Sequence, residues 1–336
     1  MLICLGTRLA IPQVGYDKSD FARKAKKWVV EIDSAECEKF KANNWNIINI
    51  EVGKFLHSIE NKFVNRKYDD WITRCKEIIN RFPLIDQSGN LNLNDSDNLH
   101  SITVMNWLNG VLDENALIST DVGAALLSGH YMLKMNGVRR IFTSQGLGEM
   151  GFGLPGAIGA YFGSHDKQII SLNTDGGIMF NLQELQVIKE YKIPIKLFIF
   201  NNFGYSMIKI SQDNLFSARH AGSTLESGIS FPNFEDVAKT FGMNYYRANN
   251  LQSLNLNLVE KLKDNESLLV EIIMSPDQKY LPRLATKKLE NGTLISPPLE
   301  DLDPPISIEL LEEMLGYTAH PFSYEARGLP KKHEKD

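Results

Sequence analysis

A chain of 336 residues with 43% hydrophobic and 23% charged residues can bury one large core or two ordinary ones, which excludes wholesale disorder. Its 36 basic and 41 acidic residues are mixed along the chain and leave a formal charge of −5, so no basic face for nucleic acid is expected. Cys4, Cys37 and Cys75 lack metal-ligand spacing and fit a reducing cytoplasm, and no run approaches the roughly 18 apolar residues of a membrane span.

The apolar start, MLICLGTRLAI, has no basic leader and reads as a buried strand and a turn, not a signal peptide. FARKAKKWVVEID reads as a helix feeding a strand that ends at Asp33. NIINIEVGKFLHSIENKF reads as a short strand and a helix. Residues 1–65 thus form a partial α/β domain that begins abruptly, with the other half of its sheet expected upstream. Residues 66–100 hold the amphipathic helix DDWITRCKEIINRF and then DQSGNLNLNDSDN, which has the composition of a linker.

Over residues 101–280 the β–α alternation is regular. The helix SITVMNWLNGVL precedes the strand ALISTD, and the Gly-rich turn and helix GLGEMGFGLPGAIGAYFG precedes QIISLNTD. LQELQVIKEY leads to PIKLFIF, an apolar strand of the kind buried on both faces of a parallel sheet. The helices FEDVAKTFG and LNLVEKLKD lead to the strand SLLVEIIM. The fold class is α/β, a parallel sheet covered by helices on both faces. In the Pro-rich extension 281–336, LPRLATKKLENGTLISPPLEDLDPP is expected to hold no regular structure and to wrap a surface, and KKHEKD is a solvated tail.

Ligands of parallel α/β sheets bind beyond the carboxyl ends of the strands, where Asp121, Asp175 and Asn201-Asn202 all fall. Gly176 and Gly177 would let backbone amides approach a phosphate closely. Asn202 follows Asp175 by 27 residues, the length of one strand–helix–strand unit, so both side chains can reach one point above neighbouring strands. A carboxylate, an amide oxygen and a backbone carbonyl form a hard-oxygen set. That set suits Mg²⁺, which completes its shell with waters and phosphates. The composite expectation is a Mg²⁺–diphosphate site.

An Asp-Gly pair followed at this distance by Asn-Asn, flanked by TDVG, SQGLGEMGFGLPGAIGA and NLQELQVIKEYKIPIKLFIFNN, resembles the metal–diphosphate motif of thiamine-diphosphate (ThDP) enzymes. The likeness is to the acetolactate-synthase-like branch and runs from about Ser119 to Ser275. Leu2 to about Glu60 looks like the second half of that branch's central domain. Thr174 stands where the family usually has glycine.

The resemblance implies a ThDP-binding fold in which Asp175, Asn202 and the Gly204 carbonyl ligate Mg²⁺ while Gly176 and Gly177 donate amides to the diphosphate. Met150 would prop the cofactor in its bent shape, Gly148 would place a carbonyl against its aminopyrimidine, and Gly123, Tyr205 and Met207 would make further cofactor contacts. No catalytic residue is expected within this chain. The family's activating glutamate lies on a pyrimidine-binding domain that no part of the chain resembles.

The implied activity is that of a carboligase or decarboxylase of a 2-keto acid such as pyruvate, with acyl transfer to a keto acceptor. The implied assembly is a homo-oligomer or a complex with a pyrimidine-domain chain. Ala124, Ala125 and Leu126 replace a Gln-His-Gln that supports the diphosphate, and Ser211 aligns with a tryptophan of the acceptor pocket. GISFPNFEDVAKTFG and RLATKKLENGTLISPPLEDLDP look like members that act on keto-sugars.

Three alternatives stay open. One is an inactive truncated paralogue, another a split enzyme with its missing half on a separate polypeptide. The third is a nicotinamide or flavin oxidoreductase, since Gly146, Gly148 and Gly151 spell G-x-G-x-x-G. A lone match is weak, the preceding GVRRIFTS is short and charged, and the Asn pair would go unexplained. His220 lies in a loop that could contact substrate, and Glu184 suits a packing role better than a catalytic one. His57, His100, His130 and His165 show no ligand spacing.

Overall fold

The apolar runs of the chain's second half assemble as a six-stranded, wholly parallel sheet in a computed structural model that describes residues 1–62, 67–83, 99–289 and 291–330. The linker stretch 86–98 and the tail 331–336 lie outside the described residues. Two units are distinguished: Pro83–Tyr280, and Met1–Phe82 together with Leu281–Asp336.

In that N-terminal unit, β1 (Leu2–Leu5), β2 (Lys27–Glu31) and β3 (Asn46–Asn49) pair in parallel in that order. Cys4, Leu9, Val14, Val29, Phe40 and Trp45 form its core. Two sequence expectations fail here. No helix forms over the residues that lead into β2, because Ala22 takes a left-handed φ of +48° and Lys27 Nζ bonds the Ser19 and Phe21 carbonyls at 2.9 and 3.1 Å. Asp33 does not end the strand. It caps the helix Ser34–Glu38, accepting the Ala35 N–H at 2.8 Å.

The C-terminal extension is more regular than its prolines suggest. An Asn-Gly turn lets β10 (Lys287–Lys288) pair antiparallel with β11 (Leu294–Ile295), and the helices Ile308–Leu315 and Pro321–Glu325 bury Ile308, Leu311, Ala319 and Tyr324. Arginines tie it down. Arg23 pairs with Glu300, Arg74 donates to the Glu313 and Met314 carbonyls at 3.0 and 2.7 Å, and Arg327 grips both oxygens of Asp301 at 2.7 and 2.8 Å.

The larger unit holds β4 (Leu117–Thr120), β5 (Arg140–Phe142), β6 (Ile169–Thr174), β7 (Lys196–Asn201), β8 (Asn244–Ala248) and β9 (Leu268–Ile273), ordered β5-β4-β6-β7-β9-β8. The two edge strands, β5 and β8, are short and partly charged and were not legible as strands. Alternation along the buried strands builds an apolar layer on each face. Ile118, Ile170, Phe198, Phe200 and Val270 pack against the helices Ser101–Val111, Ala124–Met132 and Leu256–Lys263. Leu117, Ile169, Leu197, Ile199 and Leu269 pack against Gly153–Gly163, Leu185–Tyr191 and Phe234–Thr240. Each fully buried aliphatic or aromatic side chain contributes about 1.5–3 kcal/mol, so the sheet is a rigid platform for what stands at its carboxyl edge.

Candidate cofactor and metal site

Neighbouring strands β6 and β7 end at Thr174 and Asn201, and both candidate ligands begin the turns that follow. Thr174 caps the short helix Asp175–Ile178, its Oγ1 accepting the Gly177 N–H at 3.1 Å. Asp175 is 1% exposed. Its Oδ1 accepts the Gly176 N–H at 2.7 Å, and its Oδ2 accepts those of Asn202 and Gly204 at 3.2 and 3.1 Å. Burial pushes the carboxyl up to about 7 despite these donors. A cation beside it would restore the charged form.

The Asn-Asn pair divides its labour. Asn201 builds the turn: its amide donates to Glu271 Oε1 at 2.6 Å, and its Oδ1 accepts the Phe203 N–H at 3.0 Å. Phe203 takes a left-handed φ of +60°, a conformation a bulky residue adopts only when its surroundings impose it. Asn202 is left facing inward, 4% exposed, with an Oδ1 that is buried and has no hydrogen-bond partner among the described residues. Gly204 is obligatory by close approach, since a Cβ there would meet the Ser223 carbonyl oxygen at 2.7 Å. Tyr205 donates its N–H to that same oxygen at 2.9 Å and so clamps the loop over Asp175.

Asp175, Asn202 and Gly204 line one cavity of about 270 Å³. Gly123, Thr174 and Ser206 also line it, and Val122, Ala124, Met150, Tyr205, Met207 and Ile208 give it an apolar wall. Among the described residues no three His, Cys, Asp or Glu side chains gather around a metal position. The set here has one carboxylate, with amide and carbonyl oxygens beside it. Such a set fits Mg²⁺ that keeps water or phosphate in the remaining positions. An orphaned amide oxygen, a deeply buried carboxylate held only by backbone amides, and a glycine that a Cβ would displace all fit a bound cation and diphosphate.

Other candidates lie elsewhere. The amides of Gly176 and Gly177, expected to face the diphosphate, are taken up by Asp175 and Thr174. Gly148 sits on an exposed turn, its N–H bonded to the Ser144 carbonyl at 2.7 Å. Gly146, Gly148 and Gly151 belong to that turn after the edge strand β5. Ser211 is exposed and bonds its own helix through the Met207 carbonyl at 3.0 Å. His220 pairs with Asp213 at 2.7 Å and lines a second cavity of about 390 Å³ with Lys209, Thr224 and Glu226. Glu184 ends the turn Leu182–Glu184 and lines neither cavity.

Asp121 does more than its place after a strand signals. It is fully buried at the end of β4, and its Oδ1 accepts the N–H groups of Val122 and Gly151 at 2.9 and 2.8 Å. A lone acid after a strand was the available signal. Its contact with a turn 30 residues on was not.

Residues 121–272 match the family model described as thiamine pyrophosphate enzyme, C-terminal TPP binding domain. The chain is 29% identical over 294 residues to the acetolactate synthase large subunit of Porphyra purpurea, covering 86% of this chain and 48% of that protein. It is 31% identical over 293 residues to a probable acetolactate synthase large subunit of Methanococcus aeolicus, covering 82% and 47%. Against acetolactate synthase isozyme 1 large subunit of Escherichia coli (strain K12) it is 27% identical over 282 residues, covering 84% and 48%. The chain spans about half the length of the curated relatives it matches.

Proposed function

We propose that this chain, which belongs to the thiamine-diphosphate enzymes of the acetolactate-synthase-like family, holds the diphosphate and Mg²⁺ of ThDP for a carboligase or decarboxylase of a 2-keto acid such as pyruvate. One observation carries the reading. The buried Asp175 carboxylate, the partnerless Asn202 Oδ1 and Gly204 meet at a single cavity beyond the carboxyl ends of β6 and β7.

When bound, ThDP supplies the electron sink for cleavage next to the keto carbonyl. What the chain's residues contribute is geometry and electrostatics. Asp175, Asn202 and the Gly204 carbonyl would hold the cation, and through it the diphosphate. Met150, Met207 and Ile208 form an apolar wall of the cavity that would help to exclude water from a cofactor held there. Among the described residues, Asp175 is the only carboxylate that lines the cavity. We therefore assign proton transfer at the cofactor to a glutamate on a pyrimidine-binding domain outside the present sequence. The protein would then work as a homo-oligomer or a complex.

The acyl unit would pass to a keto acceptor. The small Ala124 in the wall leaves room for one larger or more hydroxylated than a second 2-keto acid, a keto-sugar included. Three unpaired cysteines suit a cytoplasmic setting, and among the described residues no helix is long and apolar enough to cross a membrane.

The test is an assay of CO₂ release from pyruvate with ThDP and Mg²⁺, with and without a pyrimidine-domain polypeptide. Release that requires both the polypeptide and Mg²⁺ is expected. Robust turnover by the chain alone would overturn the half-site reading. Cofactor binding with no release under any condition would mark an inactive paralogue.

A further inference from the structure

Strands β4 and β6 lie side by side in the sheet, and the chain leaves them in opposite directions, from β4 to the edge strand β5 and from β6 to β7. The crevice above such a pair is where open α/β sheets take ligands. Asp121 stands in it. It is fully buried, and its own N–H donates to the Leu172 carbonyl of β6 at 2.8 Å.

The carboxyl of Asp121 reaches three separate turns. Its Oδ1 accepts from Val122, at the turn that carries Gly123, and from Gly151, next to Met150. The backbone amides of Thr174 and Phe152 face the same carboxyl and favour its charged form, although burial still raises its pKa. Its Oδ2 is buried without a hydrogen-bond partner among the described residues and lies where a Cβ on Gly177 would come within 1.6 Å. The third turn is therefore the one that carries Asp175. Backbone amides are what hold the charge, with burial working against them. A carboxylate buried this deeply is a costly way to fill space, and an apolar residue would do that better.

We propose that Asp121 is a positioning residue: its carboxylate ties the turns at 121–124, 150–152 and 174–177 to one another and so fixes Met150 and Asp175 in mutual register. The inference rests on reading the cavity as the cofactor site, but the tie itself is a property of the chain. Asn is the discriminating substitution because it keeps the shape and replaces an acceptor with a donor. In Asp121→Asn the charge is lost and an Nδ2 donor would face either the Thr174 and Phe152 amides or the Val122 and Gly151 N–H groups, donor against donor in both orientations.

The test has two arms on the full chain. Amide hydrogen exchange without ligand should show the segments 149–153 and 174–178 exchanging at least ~10-fold faster in Asp121→Asn, while the interiors of β6 and β7 stay protected. Gly177→Ala, which pushes on the same carboxylate from the other side, should give the same pattern and guards against a misfolded Asn variant. Unchanged exchange in these segments in both variants overturns the proposal. The second arm is calorimetric titration with ThDP and Mg²⁺, where Asp121→Asn should bind about 10- to 100-fold more weakly. Equal affinity in the variant overturns the positioning role. A wild-type chain that binds nothing would instead contradict the cofactor reading, and the exchange arm still decides whether Asp121 ties the turns.

Discussion

The main-chain N–H of Asn202 donates to Oδ2 of Asp175 at 3.2 Å, so the two jaws of the candidate metal site are hydrogen-bonded directly to each other although 27 residues separate them in sequence. The Gly204 N–H joins the same oxygen at 3.1 Å. The loop after β7 is therefore built onto the turn after β6, and the ligand set is preorganised by backbone bonds that do not use the Asn202 side chain.

That division makes Asn202→Ala informative. The variant removes a buried acceptor without a partner, so the ligand-free chain should unfold at the same temperature as the wild type or slightly higher. Mg²⁺-dependent binding of ThDP should weaken by about 2 kcal/mol, because the cation would have one oxygen ligand fewer in a buried site. Thermal denaturation with and without Mg²⁺ and ThDP checks both. A variant destabilised without ligand and unchanged in affinity would make Asn202 a structural residue.

Gly204→Ala should behave differently. The added Cβ would sit 2.7 Å from the Ser223 carbonyl oxygen, a backbone atom that cannot swing away. The strain should cost about 1–3 kcal/mol of stability and carry the loop off Asp175. Denaturant unfolding should show the loss, with ligand affinity falling alongside it. A neutral Ala variant would mean that the 204–205 loop is not clamped to Ser223.

The N-terminal unit offers a pH test of its own. Tyr324 is 2% exposed and donates its hydroxyl to Glu312. Burial first, and then the bond to Glu312, raise the phenol from its ordinary 10.0 to about 12. The folded state thus keeps a proton that the unfolded chain gives up. The stabilisation is complete below pH 10.0 and is lost as the pH rises to about 12. Urea titrations across that window should show stability falling in the wild type and a flatter profile in Tyr324→Phe. The variant should also start about 1.5 kcal/mol lower at neutral pH, through loss of a hydrogen bond to a charged group. Equal slopes would contradict a buried phenol there.

The core of this architecture was legible because its signals are local. PIKLFIF is apolar along its whole length, as a strand covered on both faces must be. The interval from Asp175 to Asn202 equals one strand–helix–strand unit, so neighbouring strands follow from counting. What escaped depends on long-range contacts. Asn201 and Asn202 are chemically identical in sequence, and only Glu271, 70 residues on, assigns the first to the turn and leaves the second for the cavity. Arg74 and Arg23 hold residues of the C-terminal extension through contacts that no periodicity records. The missing helix before β2 turns on one left-handed alanine, Ala22, and one buried lysine, Lys27. Short edge strands with charged residues, β5 above all, lack the apolar run that identifies their buried neighbours.

The central claim is that Asp175 closes a cation-dependent diphosphate site, and calorimetric titration of the chain with ThDP, with and without Mg²⁺, tests it most directly. The account predicts saturable binding that needs Mg²⁺, disappears with a chelator and is abolished in Asp175→Ala. Binding that survives both the chelator and that substitution would contradict it.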